Sequence, residues 1–365
     1  MKIIAFYLPQ FHRTPENDLW WGEGFTEWTN TSNAKPLFKD HYQPRIPFQL
    51  NYYDLSLPET QQWHAAIAKR YGIYGFCYYH YWFKGKRLLY KPLDGILKNN
   101  MPEFPFCLSW ANESWTRAWD GSKKHILMGQ DYGEKQDWQE HFKFLASVFK
   151  DPRYIKVNNN PLFIIYRPSL IPRCDELLKC WNLEAQKYGW EGIHFVETLT
   201  IFDNKSTSSR FKAQIEFEPM YTIGHHLGIT HEGGRYIKKQ IRSMLKKFDF
   251  PIPNILLNRI SYDLIWHKIL DRKRKTKRIK YLGAFPDWDN TPRRKEDALI
   301  IDGANPKKFE QYLKQQIKIG KGHQSDFLFI NAWNEWAEGA YLEPDERYGY
   351  QYLEALHRAI KDKGE

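Results

Sequence analysis

The amino-acid sequence predicts an α/β protein folded as a (β/α)8 barrel, also called a TIM barrel, with elaborated loops. Eight short apolar runs recur along the 365 residues, and amphipathic segments separate most of them. Polar and aromatic side chains gather where the runs end, which is where such barrels carry their functional groups. A doubly wound parallel sheet is the alternative, but the turn after the first run, LPQFHRTPE, lacks the glycines of a phosphate-binding loop.

The predicted strands and helices follow from these runs and from their boundary residues. The first strand ends at Pro9, because proline cannot donate to a strand ladder. The first long helix spaces Trp63, Ile67 and Tyr71 by four residues and has Gly72 just beyond its end. We predict strands at residues 2–8, 73–82, 104–111, 161–167, 192–199, 213–220, 279–285 and 327–330. We predict helices at residues 58–71, 88–100, 136–149, 176–188, 237–248, 306–319 and 351–361.

Two long connections complete the chain. Residues 10–50 are rich in Gly, Pro and Trp, which predicts a folded loop without regular secondary structure over one end of the barrel. Residues 221–280 contain an amphipathic segment and a basic run, and no Ser/Gly/Pro linker sets them apart. We therefore predict a single domain over residues 1–365, with a basic insertion at 221–280.

Candidate ligand-binding residues stand at the strand ends and in the first loop. For each of them, the alternative is a side chain that serves packing or a buried hydrogen-bond network. The candidates are Tyr7, Glu27, Trp28, Tyr79, His80, Asn112, Glu113, Trp115, Glu197, Glu218 and Asp287. Arg117 either neutralises an inward glutamate or binds a substrate anion.

The sixth predicted strand carries two carboxylates in an unusual position. Glu216 and Glu218 alternate along it, so both should project to the same face. Buried carboxylates are costly without partners, which favours either contact with a ligand or pairing with an inward arginine.

The last predicted strand leads into the stretch with the strongest chemical signal. FLFINAWNEWAEGAYLEPD, residues 327–345, places Glu335 and Glu338 three positions apart, among Asn334, Trp336 and Tyr341. Cleavage of a glycosidic bond requires one carboxyl group that protonates the leaving oxygen and another that acts at the sugar ring. On a helical turn, the two Cβ atoms would lie about 5–6 Å apart. The alternative is an acidic cluster that only complements a helix dipole.

The two carboxyl groups need different protonation states for this chemistry. One of the two must hold a proton near neutral pH, so burial or a like charge must raise the pKa of that group. The other glutamate is near enough in sequence to supply the like charge. Aromatic residues form 17% of the chain, with 15 Trp and 23 Tyr, and such rings suit the faces of sugars.

The formal net charge is +11, and much of the excess is local. The run KILDRKRKTKRIK, residues 268–280, has eight basic residues and one acidic residue. It is either a solvated face or a surface that meets anionic lipid or an acidic glycan. No nucleic-acid-binding motif accompanies the run, so we do not expect nucleic acid as a partner.

Cysteine spacing and the lengths of the apolar runs indicate which cofactors and which cellular location to expect. Cys77, Cys107, Cys174 and Cys180 have neither CxxC spacing nor an accompanying His cluster, so we expect no metal and no other cofactor. The N-terminal apolar run is too short for a signal peptide, and no run reaches the roughly 18 apolar residues of a membrane span. We expect a cytoplasmic protein, peripheral to the inner membrane if the basic run meets anionic lipid.

Five ordered strings carry a family resemblance over essentially the whole chain: WWGEGFTEWTN, GFCYYHYWFKG, FPFCLSWANESWTRAWDG, HFVETL and NEWAEGAYLEPD. Together they closely resemble the WbsX-like group of bacterial surface-polysaccharide proteins. That group is labelled as glycosyltransferases and looks like a relative of glycoside hydrolase family 99. The segment NEWAEG is similar to that family's Asn-Glu-Trp-Xaa-Glu-Gly segment, although Ala337 replaces a larger polar residue.

The resemblance implies a (β/α)8 fold and a retaining endo-α-mannosidase or mannanase activity without metal or nucleotide. It further implies that Glu335 acts on the sugar's own 2-hydroxyl, which attacks the anomeric carbon and gives a 1,2-anhydro sugar. Glu338 would be the general acid and then the general base.

Three functions follow from these observations. The first is a carbohydrate-active enzyme, a glycoside hydrolase or transglycosylase that acts on an α-linked mannose- or rhamnose-like sugar of a surface polysaccharide, free or lipid-linked. The second is a sugar-nucleotide-dependent glycosyltransferase of lipopolysaccharide or capsule biosynthesis, with DWDN, residues 287–290, as a metal–diphosphate site. The third is a glycan-binding barrel without catalysis.

Overall fold

The computed structural model describes residues 1–116, 126–274 and 278–362, the side chains of residues 229–232 excepted. Arg117 and residues 275–277 of the basic run lie outside this part of the chain. Within it, eight parallel strands close into a barrel, because each strand pairs with the next and β1 pairs with both β2 and β8. The strands are β1 Lys2–Tyr7, β2 Gly75–Phe83, β3 Phe106–Trp110, β4 Asn160–Ile165, β5 His194–Leu199, β6 Ala213–Glu216, β7 Ile279–Ala284 and β8 Phe327–Ile330. The predicted (β/α)8 barrel is confirmed.

Helices connect the strands and surround the barrel. They are α1 Pro15–Trp21, α2 Glu27–Ser32, α3 Pro58–Arg70, α4 Lys91–Asn99, α5 Lys135–Phe149, α6 Cys174–Gln186, α7 Met220–His225, α8 Ile229–Lys247, α9 Tyr262–Leu270, α10 Thr291–Arg294, α11 Pro306–Gly322 and α12 Gln351–Lys361. Short outer strands add to the loops, and Asn258–Ser261 pairs in parallel with Leu299–Asp302. Each predicted helix corresponds to an observed one, and the ends differ by at most three residues except in α8, which begins at Ile229 rather than at residue 237.

The first long loop contains regular structure that the sequence interpretation did not predict. Helix α1 begins after Thr14, whose side chain accepts a hydrogen bond from the Asn17 N–H, and has proline at its start. Helix α2 begins after Thr26, which forms a capping box with Thr29. The prediction of an irregular loop was therefore wrong, although its N-cap residues are typical helix starts.

Strand β6 is shorter than predicted and ends at Glu216. Pro219 follows as the N-cap of α7, and proline cannot donate to the ladder. Glu218 therefore lies in the turn between β6 and α7 rather than on the strand.

Aromatic rings fill the upper part of the barrel interior. Phe6 stacks on Tyr79 with the ring centres 5.6 Å apart, meets Phe217 edge-on at 5.1 Å and packs at a tilt against Phe329 at 5.6 Å. Tyr166 meets Phe217 edge-on at 5.4 Å. Because side chains alternate along a strand, the neighbours of these residues face the surrounding helices. This alternation decides which strand-end residues can reach the mouth of the barrel.

Candidate active site

The loop after β8 forms a tight turn that carries both predicted catalytic glutamates. Asn334–Glu335 pairs antiparallel with Ala340–Tyr341, and a 3-10 turn, Trp336–Glu338, lies between them. Gly339 closes the turn with φ +63°, and a Cβ at this position would lie 2.8 Å from the backbone nitrogen of Asp289. The turn therefore requires glycine here.

Asn334 anchors this turn to the end of β1. Its Oδ1 accepts a hydrogen bond from the Leu8 N–H at 2.7 Å, and its Nδ2 donates to the Leu8 carbonyl at 3.0 Å. Both bonds are buried and satisfy backbone groups that would otherwise be unpaired. The prediction of substrate contact is corrected here, since Asn334 holds the turn.

Arg293, on α10, brings three glutamates together at the mouth of the barrel. Its Nη1 lies 2.5 Å from Oε1 of Glu338, and its Nη2 lies 3.4 Å from Oε2 of Glu335. Its Nε donates to Oε1 of Glu27 at 2.8 Å. Since a single guanidinium contacts both members of the pair, Glu335 and Glu338 share one environment at the mouth of the barrel, which is called the cleft below. Their side chains are 9% and 24% exposed, so Glu338 is the more accessible of the two.

The sequence interpretation did not include Arg293. The signal that could have indicated it is TPRR, residues 291–294, shortly after the seventh strand. Proline at the first helical position favours a helix start, and a basic side chain on a helix at the barrel mouth is placed to meet carboxylates there.

The pKa values of both carboxyl groups are raised. Burial, and then the neighbouring charge of Glu338, raise the pKa of Glu335 to about 8. Burial also raises the pKa of Glu338, and the charge of Arg293 opposes this rise. The pair therefore retains a proton near neutral pH. With no sugar bound, the closer contact of Arg293 with Glu338 favours the proton on Glu335.

Aromatic residues line the cleft beside this pair. Tyr79 and Tyr81 alternate on β2 toward the barrel interior, and burial together with the charge of Glu335 raises the pKa of each phenol. Tyr166, at the end of β4, has its pKa raised by burial and by the charges of Glu113 and Glu338. The ring of Trp115 meets Tyr81 edge-on at 5.3 Å. Of these, Tyr79 and Trp115 were predicted as ligand-binding residues.

Three predicted ligand-binding residues point away from the barrel interior and from the cleft. The Tyr7 hydroxyl hydrogen-bonds to Nδ1 of His64 on α3 at 2.8 Å. His80 lies 2.9 Å from His141 on α5, and burial lowers its pKa to about 3. Glu197 accepts from Gln214 on β6 at 2.7 Å. Each is one position away from an inward residue, which explains why these predictions were wrong.

Glu218 is paired with arginines of the basic run. Oε1 of Glu218 lies 2.8 Å from Nη2 of Arg272, and Glu216 lies 2.8 Å from both Arg272 and Arg274. All four side chains are almost fully buried. Glu218 is therefore paired with a buried arginine, which was the alternative to ligand contact. Part of the basic run is buried inside the protein.

Trp28, Trp336 and Tyr341 form the core of the loops around the site. Trp336 stacks on Tyr341 with the ring centres 3.8 Å apart, and Trp28 lies 5.8 Å from Trp336. The indole N–H of Trp336 donates to Glu343 at 2.6 Å. All three rings are buried, so they support the cleft and offer no exposed face to a sugar.

The remaining candidates occupy the rim. Asn112 ties β3 to β4 through two hydrogen bonds of 2.8 Å with the backbone of Arg167. Glu113 forms an ion pair of 2.7 Å with the Arg167 side chain and remains partly exposed. Asp287 pairs with Arg45 at 2.9 Å, while burial raises its pKa. Asn112 is thus structural, whereas Glu113 and Asp287 border the opening of the barrel.

Comparison with known proteins places this chain in a family. The family model described as "Glycosyltransferase WbsX" matches residues 3–356. "Uncharacterized protein WxcX" of Xanthomonas campestris pv. campestris is 36% identical over 368 residues, which cover 98% of this chain and 49% of that protein. A second strain has an equally similar protein. The chain spans about half the length of these curated relatives.

Solved structures share the fold. The glycoside hydrolase family 99 endo-α-mannosidase of Bacteroides thetaiotaomicron aligns with a TM-score of 0.54 and 13% identity, over 99% of this chain and 96% of that chain. A protein described as "Glycoside hydrolase-like protein" aligns with a TM-score of 0.59 and 12% identity, over 99% and 94% of the two chains. The chain therefore belongs to the WbsX glycosyltransferase family, and its (β/α)8 barrel has the fold of glycoside hydrolase family 99.

Proposed function

We propose that this protein is a retaining glycoside hydrolase or transglycosylase that acts on an α-linked mannose- or rhamnose-like sugar of a bacterial surface polysaccharide. The observation that carries the proposal is the Glu335–Glu338 pair, joined by Arg293 in one cleft at the carboxyl ends of the barrel strands. A carboxyl pair with raised pKa values, beside tyrosines, supplies the proton and the base that glycoside cleavage needs.

The proposed reaction has two steps. In the first, Glu335 takes the proton of the sugar 2-hydroxyl, whose oxygen attacks the anomeric carbon and forms a 1,2-anhydro sugar. Glu338 gives its proton to the leaving glycosidic oxygen, so no alkoxide is released. In the second, Glu338 takes a proton from water or from an acceptor sugar hydroxyl, which opens the three-membered ring, and Glu335 returns a proton to the 2-oxygen.

These roles require the proton to move within the pair when the sugar binds. Without sugar, the contact between Arg293 and Glu338 favours ionised Glu338. A leaving oxygen that approaches Glu338 would displace this contact, and the guanidinium would then stabilise ionised Glu335. Arg293 is thus in a position to decide which carboxyl group holds the proton.

A sugar-nucleotide-dependent glycosyltransferase is the second candidate, and the family's name favours it. Its proposed metal–diphosphate site would use Asp287 and Asp289. In the structure, Asp289 accepts hydrogen bonds from Gln43 and Thr291 and lies 2.8 Å from His41, while Asp287 pairs with Arg45. A diphosphate and its metal would have to displace these partners, so the glycosidase is the better supported proposal.

The test uses purified protein and the surface polysaccharide of the cell that makes it, with product masses as the readout. Glu335→Gln and Glu338→Gln should each abolish cleavage and transfer. Glu197→Gln is the matched control, because Glu197 is also a buried carboxyl group with a raised pKa but faces away from the cleft.

The outcomes separate the three functions. Full turnover by both cleft variants would overturn the proposal. Calorimetry with sugar nucleotides, with and without Mn²⁺, would instead support the glycosyltransferase if binding depended on the metal. Glycan affinity without turnover, unchanged in both variants, would identify a glycan-binding barrel.

A further inference from the structure

Helix α8 carries an exposed apolar stripe. Ile237, Met244 and Phe248 are 60%, 56% and 68% exposed, and their spacing of seven and then four residues puts them on one face of the helix. Phe250 and Ile255, in the segment that follows, are exposed as well. Large apolar side chains grouped in this way on a protein surface indicate a contact site.

The opposite face of α8 attaches the helix near the mouth of the barrel. Arg242 donates to the Leu256 carbonyl at 2.6 Å and to Asp297 at 3.2 Å. Lys246 donates to the other oxygen of Asp297 at 2.8 Å. Asp297 lies in the short turn that follows α10, the helix that carries Arg293. The apolar stripe therefore points outward beside the candidate active site.

The charge around the stripe is strongly one-sided. Residues 233–256 contain six Lys or Arg residues, and Asp249 is the one acidic residue among them. At about 100° per residue, Lys238 and Lys247 lie on the two sides of the stripe. A helix with Phe, Ile and Met on one face and lysines beside it has the composition of helices that lie in the surface of an anionic membrane.

The basic run at 268–280, predicted from the sequence as the membrane contact, is less suited to that role. Arg272 and Arg274 are buried against Glu216 and Glu218, so their charges are neutralised within the protein. No helix in the described parts of the chain is both long enough and apolar enough to cross a bilayer. A helix that lies on the bilayer surface requires neither property.

We propose that α8 and residues 250–255 form a docking surface for an anionic lipid bilayer. The apolar stripe enters the boundary between headgroups and acyl chains, and Lys238 and Lys247 contact the anionic headgroups. Docking holds the mouth of the barrel close to the membrane. It thereby narrows the substrate of the proposed function to glycans linked to a membrane lipid, and this consequence alone rests on that function.

The test is co-sedimentation of the full chain with phosphatidylcholine vesicles that contain or lack phosphatidylglycerol. The parent should bind the anionic vesicles about tenfold more tightly than the neutral ones, and binding should weaken with added salt. Ile237→Ser/Met244→Ser/Phe248→Ser should lose at least about tenfold in binding. Lys238→Glu/Lys247→Glu should also weaken binding to the anionic vesicles.

The matched control is Leu19→Ser/Leu183→Ser, which removes two exposed leucines from helices α1 and α6. It should bind vesicles like the parent, and all variants should unfold at the parent's temperature. Parent protein that binds neither vesicle, or a triple variant that binds as well as the parent, would overturn the proposal. So would a parent dimer that the triple substitution converts to a monomer without any vesicle binding.

The two proposals fail in different ways. Turnover of a soluble oligosaccharide should be the same in the parent and in the triple variant, because the stripe does not reach the carboxyl pair. Loss of vesicle binding in the triple variant, with turnover retained, therefore tests the docking surface without testing the reaction. Loss of turnover in Glu338→Gln, with vesicle binding retained, tests the reaction without testing the docking surface.

Discussion

Replacing Arg293 with methionine removes the cation that lies between three carboxyl groups, two of which, Glu27 and Glu335, are buried. The side chain of Glu27 is completely buried, and its Oε1 lies 2.8 Å from Nε of Arg293. The other oxygen of Glu27 has no hydrogen-bond partner among the described residues. In Arg293→Met, Glu27 would be left as an uncompensated buried charge, or would have to take up a proton.

The size of the effect follows from this burial. Removing one partner of a buried ion pair destabilises a protein by about 3–5 kcal/mol. Unfolding entropy is about 2 cal/mol/K per residue, so over 365 residues this loss lowers the midpoint of thermal unfolding by about 4–7 °C. Glu338 is partly exposed and adds less to the cost.

A double-variant comparison in thermal unfolding isolates the cause. Arg293→Met/Glu27→Gln should recover most of the lost stability, since the glutamine leaves no buried charge. Arg259→Met is the control, because it breaks an ion pair with Asp302 that is partly exposed and should cost less than about 1 kcal/mol. The reasoning is refuted if Arg293→Met unfolds with the parent, or if Glu27→Gln restores nothing.

The same substitution also makes a prediction about activity. The cation of Arg293 lowers the pKa of Glu338, so its removal should raise that pKa further. If Glu338 is the general acid, the alkaline limb of the pH–rate profile should move to higher pH in Arg293→Met. An unchanged or downward-shifted limb would contradict this role.

Three further predictions concern stability and the turn. The pKa of Glu335 is about 8 in the folded protein, above its value in the unfolded chain. The stability that protonated Glu335 contributes is therefore fully present below about pH 4 and is lost as the pH rises through 8. Glu335→Gln should therefore be more stable than the parent in denaturant at pH 8 by a few kcal/mol, and equal to it at pH 4. Arg272→Met should cost about 3–5 kcal/mol in the same assay, because Glu218 would lose its cation, and Arg272→Met/Glu218→Gln should recover most of that. Gly339→Ala should reduce turnover strongly by displacing Glu338, whereas Gly349→Ala, also at positive φ but with open space around it, should leave turnover unchanged.

Equal stability differences between parent and Glu335→Gln at both pH values would exclude a raised pKa at that position. A double variant at Arg272 and Glu218 that is no more stable than Arg272→Met would show that the lost contacts are not those of the ion pair. If Gly339→Ala and Gly349→Ala had the same turnover, the close approach at Gly339 would not matter for the site.

The barrel was predictable because its strands are buried on both sides. Apolar runs such as 327–330 can be recognised locally, and their order along the chain allows few closed arrangements. The helices of the first loop were missed because the predicted irregular loop relied on its Gly, Pro and Trp content, whereas Thr14 and Thr26 start helices there.

The choice of site residues depended on which way each strand end faces. Tyr79 faces the interior, and His80, the next residue, faces α5. A site residue must therefore have a suitable side chain at a strand end, and that side chain must also point into the barrel. The direction depends on how each strand pairs with its neighbours in the closed barrel, and no local pattern in an aromatic run such as CYYHYW reveals it.

The sequence alone determined the closed α/β architecture and the two glutamates after the last strand, since both depend on residues that are close together in the chain. The contact between Arg293 and Glu27 joins residues 266 positions apart, and only the tertiary structure decided it. It arises because closure of the barrel brings the first and seventh loops to the same opening. The protonation of the glutamate pair depends on that contact, and burial, which sets the raised pKa values, is likewise a property of the folded chain.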